Sequence, residues 1–243
     1  MQRSAPRLSR ILACAAVPVM LVATGCSSDS GGGAGAGSAQ DKASASPSAS
    51  ATPSPTPTVE PAKFAKLPEA CKAITEKTTA SLVPKAKNKK GTAAASTDLT
   101  SRGGCAWNGL DDKGVKGSQY RWLDVSFYRY ESDPSLGSGQ ERARENLAKE
   151  LAKVQATPGA KKLKTAPATG IGDEATSVAY QVRKTDEDFV YASIVARTGN
   201  VLVLLSYNGA GYAGAATPTD KAIMDGAVKA AREAVTAVAA ANK

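Results

Sequence analysis

The sequence predicts an α+β fold in which an antiparallel sheet carries three packed helices. Three observations predict it. Apolar and polar residues alternate in "RWLDVSFYRY" (121–130) and "TSVAYQVRK" (176–184), the period of half-buried strands. Two apolar runs, 188–198 and 201–208, flank Gly199-Asn200, a two-residue turn of the hairpin type. Three further stretches repeat their apolar residues at steps of three and four, as helices do. The order is helix, two strands, helix, three strands, helix.

The elements follow along the chain. "LPEACKAITEKTTASLV" places Pro68 in a first helical turn and ends before Pro84, with Cys71, Ile74 and Thr78 on one face. "GCAWNG" around Trp107 reads as a short strand, and residues 121–130 as a longer one with Leu123, Val125 and Phe127 inward. "SGQERARENLAKELAKVQ" opens on a capping box, Ser138 with Glu141. Leu147, Leu151 and Val154 are its apolar stripe, Glu145 and Lys149 an exposed pair, and Pro158-Gly159 its stop. In the strand at 176–184, Val178, Tyr180 and Val182 share a face, and the continuous run Val201–Leu205 suits a central strand covered on both sides. The last helix is expected to start at Thr217-Pro218, with Met224, Val228, Ala231, Val235 and Val238 as its buried stripe and many alanines for close packing.

The chain has 243 residues, and all twelve of its aromatics lie between Phe64 and Tyr212. The core therefore belongs to a domain at 62–243, long enough to bury one. Ahead of it, Arg3, Arg7 and Arg10 precede an uncharged run, Ile11 to Ala23, too short to span a bilayer of roughly 30 Å. Residues 1–25 read as a secretory signal peptide. Cys26 follows Ala23-Thr24-Gly25, so the segment is similar to a bacterial lipobox, in which a small residue precedes a cysteine that takes a diacylglycerol; Ala23 stands where leucine is preferred. Two or three acyl chains anchor stably where one does not. Residues 26–61 are then the lipidated Cys26 and a Ser/Gly/Pro/Thr tether with nothing to bury, reaching roughly 30–35 Å as a coil.

With Cys14 lost in the leader and Cys26 acylated, Cys71 and Cys105 remain, and an oxidising exterior pairs them. Two free thiols, one of them catalytic, would have no histidine beside them, since the chain contains none. The same absence removes Ser-His-Asp and Cys-His nucleophiles and every histidine-bearing zinc site. No metal site and no cofactor is expected. The formal net charge of +9, or +6 without the leader arginines, suits work beside anionic polymer or lipid. It lacks the clustered stripe of a nucleic-acid binder, so nucleic acid is set aside. Lys85, Lys87, Lys89 and Lys90, with Lys161, Lys162 and Lys164, read as solvated loops.

Three acidic clusters, Asp111-Asp112, Asp173-Glu174 and Asp186-Glu187-Asp188, keep carboxylate chemistry open, though each flanks a strand as a turn would; a Ser–Lys dyad stays open too, without an SxxK motif to mark it. Gly170-Ile171-Gly172 mimics a phosphate loop, but a strand follows it instead of a helix, so it reads as a turn. "NGAGYAGAATP" (208–218) reads as a mobile strand-to-helix loop; Tyr212 at its tip and Thr217 at the helix start are the candidate ligand-binding residues.

"LPEACKAI", "GCAWNG", "GIGDEATSV" and "ARTGNVLVLLSY", in that order after a lipobox and tether, resemble a family of actinobacterial lipoproteins of unknown function. More distantly they are similar to the extracellular sensor domain of mycobacterial serine/threonine kinases. The resemblance implies an α/β sandwich at the cell surface with a ligand- or partner-binding role, and it transfers no catalytic residue. The reading is a lipid-anchored, non-catalytic binding or accessory module of the envelope, held at the membrane by its anchor and meeting a small ligand or an envelope protein. The alternatives are a carboxylate-based envelope hydrolase and a structural partner of a membrane protein. A pocket near Tyr212 favours ligand binding; two converging carboxylates, one with a raised pKa, favour catalysis.

Overall fold

The computed structural model describes residues 58–243; the expected leader, Cys26 and the tether as far as residue 57 lie outside the described residues. No helix among the described residues is long and apolar enough to cross a membrane. The elements are a 3-10 turn (Ala70–Lys72), α1 (Glu76–Leu82), β1 (Thr92–Ala93), β2 (Arg102–Asp111), β3 (Ser118–Arg129), α2 (Gly139–Gln155), β4 (Lys161–Pro167), β5 (Glu174–Lys184), β6 (Glu187–Thr198), β7 (Val201–Tyr212) and α3 (Asp220–Ala240). The fold is α+β: the strands form one antiparallel sheet in the order β1-β2-β3-β7-β6-β5-β4.

The apolar run that opens β7 explains the centre of the sheet. Val201, Val203, Leu205 and Tyr207 join the core beneath α3, while Leu202 and Leu204 pack with α2 on the opposite side. Alternation sorts the neighbours in the same way. On β3, Leu123, Val125 and Phe127 face α3, and Tyr128 faces α2. Helices therefore sit on both faces, α1 with α3 on one and α2 alone on the other.

The ends of the elements depart from expectation where tertiary contacts overrule local pattern. The helix expected from Pro68 is broken: a 3-10 turn precedes α1, which Thr75 caps by accepting from the Thr78 N–H. The Thr75 N–H and hydroxyl both donate to Glu233 of α3, at 2.9 and 3.1 Å, and Cys71 is bonded to Cys105 on β2. Two outside anchors hold the segment in a shape that a continuous helix cannot reach. The "GCAWNG" strand is longer than expected, because β2 pairs with β3 over its whole length. Two edge strands, β1 and β4, are absent from the expected order. All seven residues of β4 are exposed, so it shows no alternation, and its three lysines lie on the sheet edge instead of in a loop. Charged edges of this kind discourage pairing with other chains.

The largest difference lies at residues 208–212. These form the end of β7, in register with Trp122 to Ser118 of β3. They are not a mobile loop. Their glycines serve close approach: a Cβ on Gly209 would fall 2.7 Å from Arg121 Nη1, and one on Gly211 only 2.3 Å from the Ala215 carbonyl oxygen. α3 starts at Asp220 under a Thr219 cap, two residues later than expected. Its buried face is also rotated, with Ile223, Gly226, Ala227, Ala230, Ala231, Ala234 and Val238 inward and Met224, Val228 and Val235 on the flank. Small side chains let the helix axis approach the sheet closely; the bulkier valines fill the margins. α2 keeps its capping box, Ser138 with Glu141, and its stripe runs from fully buried Ala143 through Leu147 to half-buried Leu151 and Val154. Its exposed ion pair is Glu150–Lys153 at 2.6 Å.

The chain joins the domain at one end of the sheet. Asn200, with no exposed surface, lies in the β6–β7 turn and clasps the incoming segment. Its Oδ1 accepts from the Phe64 N–H at 2.7 Å, and its Nδ2 donates to the Phe64 carbonyl at 3.0 Å and the Tyr130 carbonyl at 2.8 Å. The carboxamide thus stands in for a peptide unit of a missing strand. Glu60 and Pro61 add backbone carbonyls that accept from Ser132 and Gln140.

Candidate functional site

α2 does not cover its face of the sheet. It is 17 residues long, about 25 Å, and packs on β6 and β7 toward their connecting turn, at Val195, Leu202 and Leu204, and on β5 at Val178, Tyr180 and Val182. A seven-stranded sheet is about 29 Å across, and its twelve-residue strands run about 36 Å. One helix about 10 Å wide leaves much of such a surface bare.

The register specifies what stands there. Nearest α2, Asp124 of β3 lies beside Ser206 of β7, which lies beside Ser193 of β6. The next row is Trp122, Asn208, Tyr191 and Tyr180. Beyond it stand Tyr120 and Phe189, and then Tyr212, paired with Ser118. A trough of small polar residues is thus walled by aromatic ones. Asp124, Ser206 and Asn208 with Tyr120, Trp122, Phe189, Tyr191 and Tyr212 line an open basin of about 580 Å³, within the range of small-ligand sites.

The aromatic wall is built by contact. Phe189 meets Tyr120 and Tyr212 edge-on, with ring centroids 5.8 and 6.2 Å away, and Tyr191 stacks on Tyr180 at 4.9 Å. Lys184 sits on the rim, donating to the Tyr191 hydroxyl at 2.7 Å. Burial raises the Tyr120 pKa, and the nearby Tyr191 and Tyr212 hydroxyls raise it further.

Asp124 is the charged group on the floor. Burial pushes its carboxyl up to about 6, against a hydrogen bond from the Trp122 indole N–H at 3.1 Å to Oδ2, which pulls the other way. No ion pair relieves it among the described residues. The bond fixes the indole relative to the carboxylate and leaves Oδ1 without a partner among the described residues. Asn208 is 6% exposed, and no hydrogen bond within the described residues engages its carboxamide or the Ser206 hydroxyl. These groups are uncommitted.

A carboxylate of this kind lowers stability. Its folded pKa of about 6 lies above the ordinary 3.8, so the native state binds the extra proton between those values and stability falls as pH rises through that window. Two units correspond to roughly 3 kcal/mol, reduced here to about 1–2 kcal/mol because Asp124 is partly open to water. Asp124→Asn is therefore expected to stabilise the protein by about that amount at pH 7.5 and by nothing measurable at pH 4. Urea titrations at the two pH values measure it, and a gain equal at both would contradict the assignment.

The residues expected from sequence are distributed as follows. Tyr212 is on the basin wall, held on a strand. Thr217 is exposed and outside α3, and it does not line the basin. Cys71 and Cys105 form a disulfide behind the sheet, remote from the basin. Cys26 lies outside the described residues. The acidic clusters are turn and ion-pair groups: Asp112 accepts from the Gly114 N–H and the Ser118 hydroxyl, Asp173 binds Arg197 and the Gly199 N–H, and Asp188 pairs with Arg183 at 3.4 Å. None of them lines the basin with Asp124. No group of three metal-ligating side chains converges among the described residues. Trp122, Asp124, Tyr191 and Asn208 escaped the sequence reading. A tryptophan on the supposed solvent face of 121–130 was the available signal.

No protein-family model and no curated protein matches the chain. Among solved structures it is similar to LpqN of Mycobacterium tuberculosis, a protein involved in cell envelope biogenesis, at 15% identity over 58% of this chain and 81% of that one, with a TM-score of 0.32. At that score no functional statement rests on the likeness.

Proposed function

We propose that the protein is a lipid-anchored, extracytoplasmic binding module of the cell envelope, held through Cys26, that captures its ligand in the open basin of the sheet without transforming it. The observation that carries the reading is the bare floor itself, where Asp124, Asn208 and Ser206 stand uncommitted inside an aromatic wall. A folded domain that keeps a destabilising carboxylate beside free polar groups has a use for them. Among the described residues Asp124 is the one carboxylate on the floor, whereas hydrolysis of the carboxylate kind uses two. The position of the basin agrees with tethering. Asn200 clasps the incoming chain at one end of β7, and Asn208 lies about 26 Å further along the strand. The basin thus lies at the far end of β7 from the point where residues 58–64 join the sheet.

Two measurements test the reading. Cys26→Ser is expected to move the protein from the membrane to the medium; retention at the membrane would remove the anchor. Native mass spectrometry of protein recovered from its host is expected to show a noncovalent adduct that Asn208→Leu and Tyr191→Ala lose. An adduct held equally by both variants, or none on the parent protein, would remove the basin as the site.

A further inference from the structure

We propose that the ligand of the basin is a short neutral saccharide, a deduction that rests on the basin being the binding site. The chemistry of the lining narrows the class by what each alternative leaves unmatched. A purely apolar ligand would cover Asp124 Oδ1, the Asn208 carboxamide and the Ser206 hydroxyl without bonding them, and each buried unpaired group costs about 1–3 kcal/mol. An anion would approach the Asp124 carboxylate, and the single cation on the lining, Lys184, stands on the far rim and is already bonded to Tyr191. An organic cation would find Asp124 and the rings attractive, but the carboxamide and hydroxyl beside them offer donors that an ammonium cannot use.

A sugar ring meets both halves of the lining. Its C–H faces are apolar and flat, matching the Trp122 and Tyr191 rings that flank Asn208 in one row of the sheet. Its hydroxyls donate and accept together, as do Asn208 and Ser206, while Asp124 Oδ1 accepts. The site is also preorganised. The indole is held by its bond to Asp124 Oδ2, Tyr191 by stacking on Tyr180 and by Lys184, and Asn208, 6% exposed, by the packing around it. Little side-chain freedom is left to lose on binding.

The experiment uses the full-length lipoprotein in detergent. Neutral disaccharides of glucose, galactose and mannose, with tetramethylammonium as the cationic rival, are titrated against intrinsic fluorescence. Trp122 is the reporter, since Trp107 is only 2% exposed in the core. At least one disaccharide is expected to give a saturable change, and Asn208→Leu and Tyr191→Ala are each expected to weaken it tenfold or more. Thermal melts of both variants show whether they fold, and Tyr191→Ala, on the half-buried wall, covers the case in which Asn208→Leu does not. The adduct on host-recovered protein is expected to fragment by loss of sugar units, which supports the saccharide even if the natural sugar is missing from the panel. A response to tetramethylammonium alone, or a basin-dependent adduct containing no sugar, overturns the saccharide and leaves the basin as a site. No adduct and no response to any probe overturns both.

Discussion

Asn200→Ala is expected to destabilise the domain by about 3–4 kcal/mol and to release the segment that leads into it. The side chain has no exposed surface and makes hydrogen bonds to the Phe64 N–H and to the carbonyls of Phe64 and Tyr130. Alanine leaves these backbone groups without partners in a place where water does not readily replace them, and each orphan costs about 1–3 kcal/mol. The losses overlap because the groups share one site, so the total is smaller than their sum. Phe64 itself is a core residue, 8% exposed, and its ring loses its registration when the clasp opens. The released stretch carries Lys63 and Lys66, so trypsin under native conditions reads the local effect while urea unfolding reads the global one. A variant with the parental urea midpoint and parental resistance at those lysines would show that the clasp contributes little.

Opening the Cys71–Cys105 bond has a comparable effect by a different route. The bond closes a loop with a sequence separation of 34 residues, for which the chain-entropy account gives about 3–4 kcal/mol, acting on the unfolded state. For a domain of this size that lowers the melting temperature by about 8–15 °C. Packing adds a native-state cost. Cys105 is 2% exposed and so close to Gly91 that a Cβ there would fall 2.4 Å from its sulfur. Calorimetry of the protein with and without dithiothreitol, beside a Cys71→Ser/Cys105→Ser double variant, measures the change. A melting temperature unaffected by reduction would deny the bond a stabilising role. Neither the Asn200 nor the disulfide variants touch the basin, so in both the folded fraction should bind ligand normally.

Much of the fold was legible in particular residues. Ser138 with Glu141 marked the start of α2, Gly199-Asn200 the β6–β7 turn, and Val201–Leu205 the central strand, because each is a local signal that its surroundings reinforce. β4 was invisible because an edge strand with both faces in water has no pattern to show. Residues 208–212 misled for the opposite reason. Glycine is a turn signal locally, yet here Gly209 makes room for Arg121, a partner distant in sequence, and Gly211 for the Ala215 backbone where the chain folds back beyond the strand. The α3 stripe was misplaced because hydropathy weighs valine above alanine, whereas close helix–sheet packing selects the smaller residue.

The sequence by itself determined the pairing of the last two strands, the capping box that opens α2 and the two cysteines that cross-link the domain, since these follow from neighbours a few residues apart or from simple counting. Only the tertiary structure decided that Asp124, Asn208, Trp122 and Tyr191 share one floor and that α2 leaves it open. The physical reason is geometric. Register across three strands brings together side chains as much as 86 residues apart, and whether a face is covered depends on the width of a helix against the breadth of a sheet, neither of which is written in the periodicity of any one segment.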